Sequence, residues 1–244
     1  MLSARAYSIR KKAMLAITLS WIGGFTNVLT FLCCNETFTS HVTGTATNFG
    51  RSLAQSAFAD ARFFSLLLLS FFMGAVCSAI LTEGAKQLGK RSKYVLPLGL
   101  EAVLLCALML LHYLWRDSAG TRLASTMSIM GSFAMGIQNA TITKISGSVV
   151  RTTHLTGVLT DLGLEGVQYC HWYWGQARGK MFGRFSRIMK LSRRHISAQR
   201  LLILSSIFVS FIAGVVGATI VFAHMSSWSF SIPIVFLIHL IVVD

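Results

Sequence analysis

Five runs of about twenty mostly apolar residues dominate this chain: Met14–Cys33, Phe63–Leu81, Tyr94–Leu114, Leu123–Thr143 and Leu201–Phe222, with a shorter sixth at Phe230–Val243. About 20 helical residues cross a hydrocarbon core about 30 Å thick, and in lipid a helix satisfies every backbone hydrogen bond within itself. Hydrophobic residues make up 54% of the chain and charged residues 12%, at a mean hydropathy of +0.64. The apolar residues form continuous blocks, unlike the one-sided stripes of a soluble helix. These features predict an all-α integral membrane protein, a single polytopic domain over residues 1–244.

Between the apolar runs the chain spells one polar phrase twice. TSHVTGTATNFG, residues 39–50, and RTTHLTGVLTDLG, residues 151–163, share His41/His154, Thr43/Thr156, Gly44/Gly157, Thr47/Thr160 and Gly50/Gly163. The match extends outward. Gly-x-x-Asn ends the run before each phrase, at Gly24–Asn27 and Gly136–Asn139, and FFMGAVCSAI from Phe71 is echoed by FIAGVVGATI from Phe211. The order is span, polar phrase, span, span, stated twice, giving internal repeats over about 14–114 and 122–243. Three crossings per copy place the second copy upside down relative to the first, the inverted-repeat plan of many transporters. The expected architecture is therefore about six transmembrane helices plus two short polar re-entrant or broken helices. Thr-Gly suits such a break, because glycine permits unusual backbone angles and threonine hydroxyls bond freed carbonyls.

Charge supplies the orientation. The net charge of +14 would suggest nucleic acid in a soluble chain, but here the basic residues cluster between apolar runs. With a cytoplasmic N-terminus and phrases that return to the side they entered, all of the 22 Lys and Arg except Arg51, Arg62, Arg116 and Arg122 face the cytoplasm, in line with the positive-inside bias. Full crossing of both phrases would weaken that bias. The expected placement is a bacterial inner membrane with both termini cytoplasmic. Residues 175–200 form a basic cytoplasmic loop or an amphipathic surface helix: Met181, Phe182, Phe185, Ile188 and Met189 fall on one helical face with arginines and lysines elsewhere. Such a helix seeks anionic lipid headgroups, and Trp172, Tyr173 and Trp174 fit an interfacial aromatic belt.

The candidates for a solute pathway are Asn27, His41, Thr43, Gly44, Thr47, Asn48, Asn139, Arg151, His154, Thr156, Gly157, Thr160 and Asp161. Asp161, with Glu165 nearby, would handle an ion or a proton at membrane depth; pairing with Arg151 or capping a half-helix is the structural alternative. His41 and His154 titrate near neutral pH, but equally serve as hydrogen-bond partners at a helix start. Asn27 and Asn139 would line a cavity or bond across helices. Gly74 with Ser78, and Gly214 with Ala218, are small-residue pairs read as helix-packing positions, within the fold or in a homo-oligomer. Cys33, Cys34, Cys77, Cys106 and Cys170 show no metal-ligand spacing, so no metal or cofactor is expected.

The second copy, with Met135-Gly136-Ile137-Gln138-Asn139-Ala140, Arg151-Thr152-Thr153 and Thr156-Gly157-x-x-Thr160-Asp161, resembles the YoaK family of uncharacterised bacterial transmembrane proteins over about residues 20–222. The resemblance implies a multi-span inner-membrane protein and supplies no substrate or catalytic residue. The first copy departs from the family pattern, reading Val42-Thr43-Gly44-Thr45 with Asn48 further on. Three functions fit the residues: a channel or secondary transporter for a small polar solute or ion, a non-transporting scaffold or accessory subunit, and a membrane-embedded lipid-active enzyme. The last would need a constellation such as Gly-x-Ser-x-Gly or His-Glu-x-x-His, which the chain lacks, so an enzyme is not expected.

Overall fold

The computed structural model describes residues 9–34, 36–88, 92–115, 121–146, 155–177 and 196–243. They form eight α-helices: α1 (Ile9–Cys33), α2 (Val42–Ala54), α3 (Phe58–Gln87), α4 (Val95–Trp115), α5 (Thr121–Ser146), α6 (Leu155–Ala177), α7 (Ile196–Met225) and α8 (Ser231–Val243), with a 3-10 turn at Ser226–Phe230 joining the last two. No strand occurs among the described residues. Every apolar run of the sequence lies in a helix, apart from the first residues of two of them, Tyr94 and Phe230. The stretches long and apolar enough to cross a membrane are Ala13–Cys33, Phe58–Gln87, Val95–Trp115 and Ile196–Val243, the last of which holds both α7 and α8. α5 is long enough but too polar to meet the same standard; it is the most enclosed helix, with Met135, Ile137 and Ile142 fully buried.

The core is built from two close helix pairs, α1 with α7 and α3 with α5. In each the backbones touch through glycine. A Cβ on Gly24 would collide with the carbonyl oxygen of Phe211, and one on Gly214 with that of Trp21; likewise Gly136 meets Phe71, and Gly74 meets Phe133. Serine hydroxyls bond across the same seams. Ser20 Oγ donates to Ile207 O (2.9 Å) and Ser210 Oγ to Ile17 O (2.9 Å), while Ser132 Oγ donates to Leu67 O (2.9 Å) and Ser70 Oγ to Ile129 O (2.7 Å). The contacts of the two copies thus match with their roles exchanged. Gly74, Ser78, Gly214 and Ala218 are all buried in these seams, so the small-residue pairs pack within the fold.

Helix directions follow from the same contacts. Ile17 meets Ser210 and Trp21 meets Gly214, so α1 and α7 run parallel; Leu67–Ser132 and Phe71–Gly136 make α3 and α5 parallel too. Between the pairs the sense reverses: Gln138 Nε2 donates to Leu19 O (3.1 Å), whereas Gly131 faces Thr30, so α1 and α5 are antiparallel. α4 and α8 are also antiparallel, with His112 Nδ1 bonded to Ser227 Oγ (2.6 Å) at one end and Val95 and Leu98 beside Leu240 at the other.

Because the seams have no room for a methyl group, Gly24→Ala and Gly136→Ala should each destabilise the protein by about 1–3 kcal/mol, the usual cost of overpacking. Thermal unfolding in detergent checks this. Gly163→Ala on α6, where an added Cβ meets open space, should leave the midpoint unchanged or slightly higher.

Candidate functional site

The first polar phrase begins with a reversal. α1 ends at Cys33, and Glu36, at φ 56°, turns the chain with its N–H on Phe31 O (3.1 Å). The chain then runs back along α1: the hydroxyls of Thr39 and Thr30 lie 2.9 Å apart, and Ser40 Oγ donates to Asn27 Oδ1 (2.8 Å). Asn27 stands six residues before the end of α1, so the chain has retreated by about 9 Å at the helical rise per residue. Gly131 of α5 closes the other side, since its Cβ would lie 3.0 Å from the methyl groups of both Thr30 and Thr39. Non-helical backbone is thus wedged between two core helices, with threonine, serine and asparagine side chains bonded to one another across the wedge.

α2 starts from that inner position and climbs out to Ala54, after which Ser56, at φ 58°, turns directly into α3. His41 is the residue before α2. Its side chain makes no capping bond; its ring lies over Gly44, where a Cβ would strike it. Thr-Gly therefore stands in the first helical turn and does not interrupt a helix. The threonines bond their own helix, Thr47 Oγ1 to Thr43 O (3.0 Å) and Thr45 Oγ1 to His41 O (2.9 Å). Thr43 and Thr47 are exposed, Asn48 is half-buried, and Thr45 and Ser52 face α3 from buried positions.

The second phrase repeats the pattern and then extends it. α6 starts at Leu155, the counterpart of Val42, and Thr160 Oγ1 donates to Thr156 O (2.9 Å). Thr156, Thr160 and Asp161 are exposed, Gly157 is half-buried, and Val158 and Glu165 are buried at the positions of Thr45 and Ser52. The expectation of two short helices fails here. α2 has 13 residues but α6 has 23, or about 20 Å against about 35 Å, because α6 runs on through Tyr169, which stacks on Trp172 and lies tilted against Tyr173. Arg151, His154 and most of the predicted basic segment, residues 178–195, lie outside the described residues.

Glu165 Oε1 accepts from Arg200 Nη1 of α7 at 2.8 Å. Asp161, Glu165, Gln168 and Arg200 line a cleft of about 280 Å³ between α6 and α7, floored by aliphatic side chains. Two carboxylates, a guanidinium and an amide in one cleft can hold a small charged or polar solute. The two phrases do not converge on each other, however: α2 packs mainly on α3 and α6 on α7. Asn139 turns inward but donates to its own helix, at Met135 O (2.9 Å). The sequence reading passed over Glu101, the sole acidic residue of α4 and fully buried; an acidic residue inside an apolar run was the available signal.

A family model described as "Protein of unknown function (DUF1275)" matches residues 15–243, almost the whole chain. The chain belongs to the DUF1275 family. The match takes in both copies of the repeat and agrees with the resemblance carried by the second phrase. No curated protein and no solved structure matches this DUF1275 chain.

The Glu165–Arg200 pair has one nearly buried and one largely exposed partner, with side chains 12% and 61% accessible. Arg200→Ala should therefore destabilise by about 1–2 kcal/mol, between the values for exposed and buried pairs. Adding Glu165→Gln should recover part of the loss, which a double-mutant cycle of thermal unfolding measures.

Proposed function

We propose that this DUF1275 protein is a channel or secondary transporter for a small polar solute or ion, with α1, α3, α4, α5, α7 and α8 crossing the bacterial inner membrane as two inverted three-span repeats. The antiparallel relation of α1 to α5 and of α4 to α8, combined with the exchanged contacts of the two copies, supports that plan. In this plan α1 enters from the cytoplasm, both termini lie on that side, and α2 and α6 lie at opposite faces, in keeping with the helix directions. The observation that carries the reading is the return of the chain along α1 as far as Asn27, so that the polar helix α2 starts about 9 Å back from the end of α1. Non-helical backbone at membrane depth is tolerated where it is buried in protein or lines a water-filled cavity, and broken helices of this kind hold transported solutes.

In this reading the solute path runs along the faces of α2 and α6 that α3 and α7 leave open. These carry Thr43, Thr47 and Arg51 on one helix and Thr156 and Thr160 on the other, with Asp161 reaching the path from the cleft between α6 and α7, all exposed. Such groups are costly against lipid tails, so they face water or a second copy of the chain. A dry, closed core with a non-transporting scaffold role is the competing reading.

The test is solvent access. Single cysteines at Thr43, Thr47, Thr156 and Thr160 in a cysteine-free background are probed with a membrane-impermeant thiol reagent from each side. Labelling of the first pair from outside and the second from the cytoplasm is expected. Protection of all four from both sides would exclude a water-filled path and favour the scaffold.

A further inference from the structure

Glu101 has no exposed surface, and neither of its carboxyl oxygens is hydrogen-bonded among the described residues. An uncompensated carboxylate in such a place is strongly disfavoured, even after relaxation. The packing seen here therefore accommodates the neutral acid. A neutral acid carries an O–H that needs an acceptor, and one stands on the neighbouring helix α5. Gln138 spends its Nε2 on Leu19 O and leaves Oε1 buried without a partner.

Glu101 and Gln138 lie at similar height. Val95 and Leu98 of α4 gather with Ile145 of α5 at one end, so α4 and α5 run antiparallel and Glu101, one turn further along α4, lies within about one turn of Gln138. The acid therefore lies in the inner part of the bundle, away from the helix ends. The fixed charges of the helices around it sit at their ends: Arg122 and Lys144 on α5, and Asp60, Arg62, Glu83 and Lys86 on α3, with Lys144 and Lys86 bound to Glu83. Nearest its height are half-buried Cys77 on α3 and exposed His239 on α8, while His112 on α4 is held by Ser227 near the far end.

We infer that Glu101 is a proton-binding site that exchanges its proton with water when the bundle rearranges, making it the coupling group of the transport cycle proposed above, on which this inference rests. The carboxyl takes one proton from water on one side and releases it to water on the other. Its ionised form needs water or a cation beside it, so proton release accompanies separation of α4 from α5. Gln138 Oε1 is the first acceptor on that route.

The experiment is infrared spectroscopy of the full-length protein in lipid vesicles at pH 8, where exposed carboxyl groups are ionised. A C=O stretch of a protonated carboxylic acid is expected. It should be lost in Glu101→Gln, moved in Glu101→Asp, shifted on transfer to D2O, and diminished as the pH is raised further. Absence of the band from the unmodified protein, or a band that neither exchanges in D2O nor titrates, would overturn the proposal, and both outcomes are read without any variant. No solute is needed. An exchanging acid with all four threonine positions protected would leave the proton site standing while excluding the solute path; the reverse pattern would leave a path without this coupling group.

Discussion

Four backbone contacts, at Gly24, Gly74, Gly136 and Gly214, fix the distance between paired helices on which the rest of the molecule is arranged. Lipid offers no hydrophobic gain for bringing two apolar helices together, so close approach and interhelical hydrogen bonds must supply the attraction. Glycine allows the approach, and Ser20, Ser70, Ser132 and Ser210 supply the bonds. Each seam joins one helix from each copy, so neither copy can complete its core alone. The exchange of partners makes the two halves one folding unit.

This frame leaves α2 and α6 outside the paired core, each packed on the helix that comes after it in the chain. Their inner residues, Thr45 and Ser52 on one and Val158 and Glu165 on the other, are buried at matching positions. The outer faces keep the polar residues. A half-helix held on one side and open on the other is suited to solute contact, because its open face needs no other helix to move away. The copies diverge at the far ends of these two helices: α2 turns at once into α3, whereas α6 runs on with Tyr169 and Trp172 and binds α7 through Glu165 and Arg200. The two helices are therefore chemically unequal, uncharged in the buried contacts of the first and ionic in those of the second.

Glu101 differs from these groups in having no compensating charge at its depth. The serine hydroxyls of the seams are satisfied, as the burial of any polar group demands, while Glu101 and Gln138 on the adjoining helices α4 and α5 are left with unused hydrogen-bonding capacity, as are Thr26 and Ser229 elsewhere. A buried acid close to an unused acceptor marks a part of the bundle that gains from rearranging.

The apolar runs by themselves determined the helices, since length and continuity of hydrophobicity are local properties that a bilayer reads directly. The doubled phrase likewise determined where α2 and α6 start, because Val42 and Leu155 hold the same place in both copies. Tertiary structure decided what those residues do. Gly24 becomes a contact only once Phe211 lies against it, a relation between residues far apart in the chain that no periodicity records. The reversal after Cys33 depends on Thr30, Thr39 and Gly131 coming together, and the exposure of Thr43, Thr47, Thr156 and Thr160 depends on which side of each half-helix the next helix covers. The extra length of α6 was hidden because its tail shares the polar, aromatic composition of an interfacial loop, and only its packing distinguishes the two. For Glu101 the sequence held the residue in plain view, but burial on every side is a property of the bundle, and that burial gives an acidic side chain its chemistry.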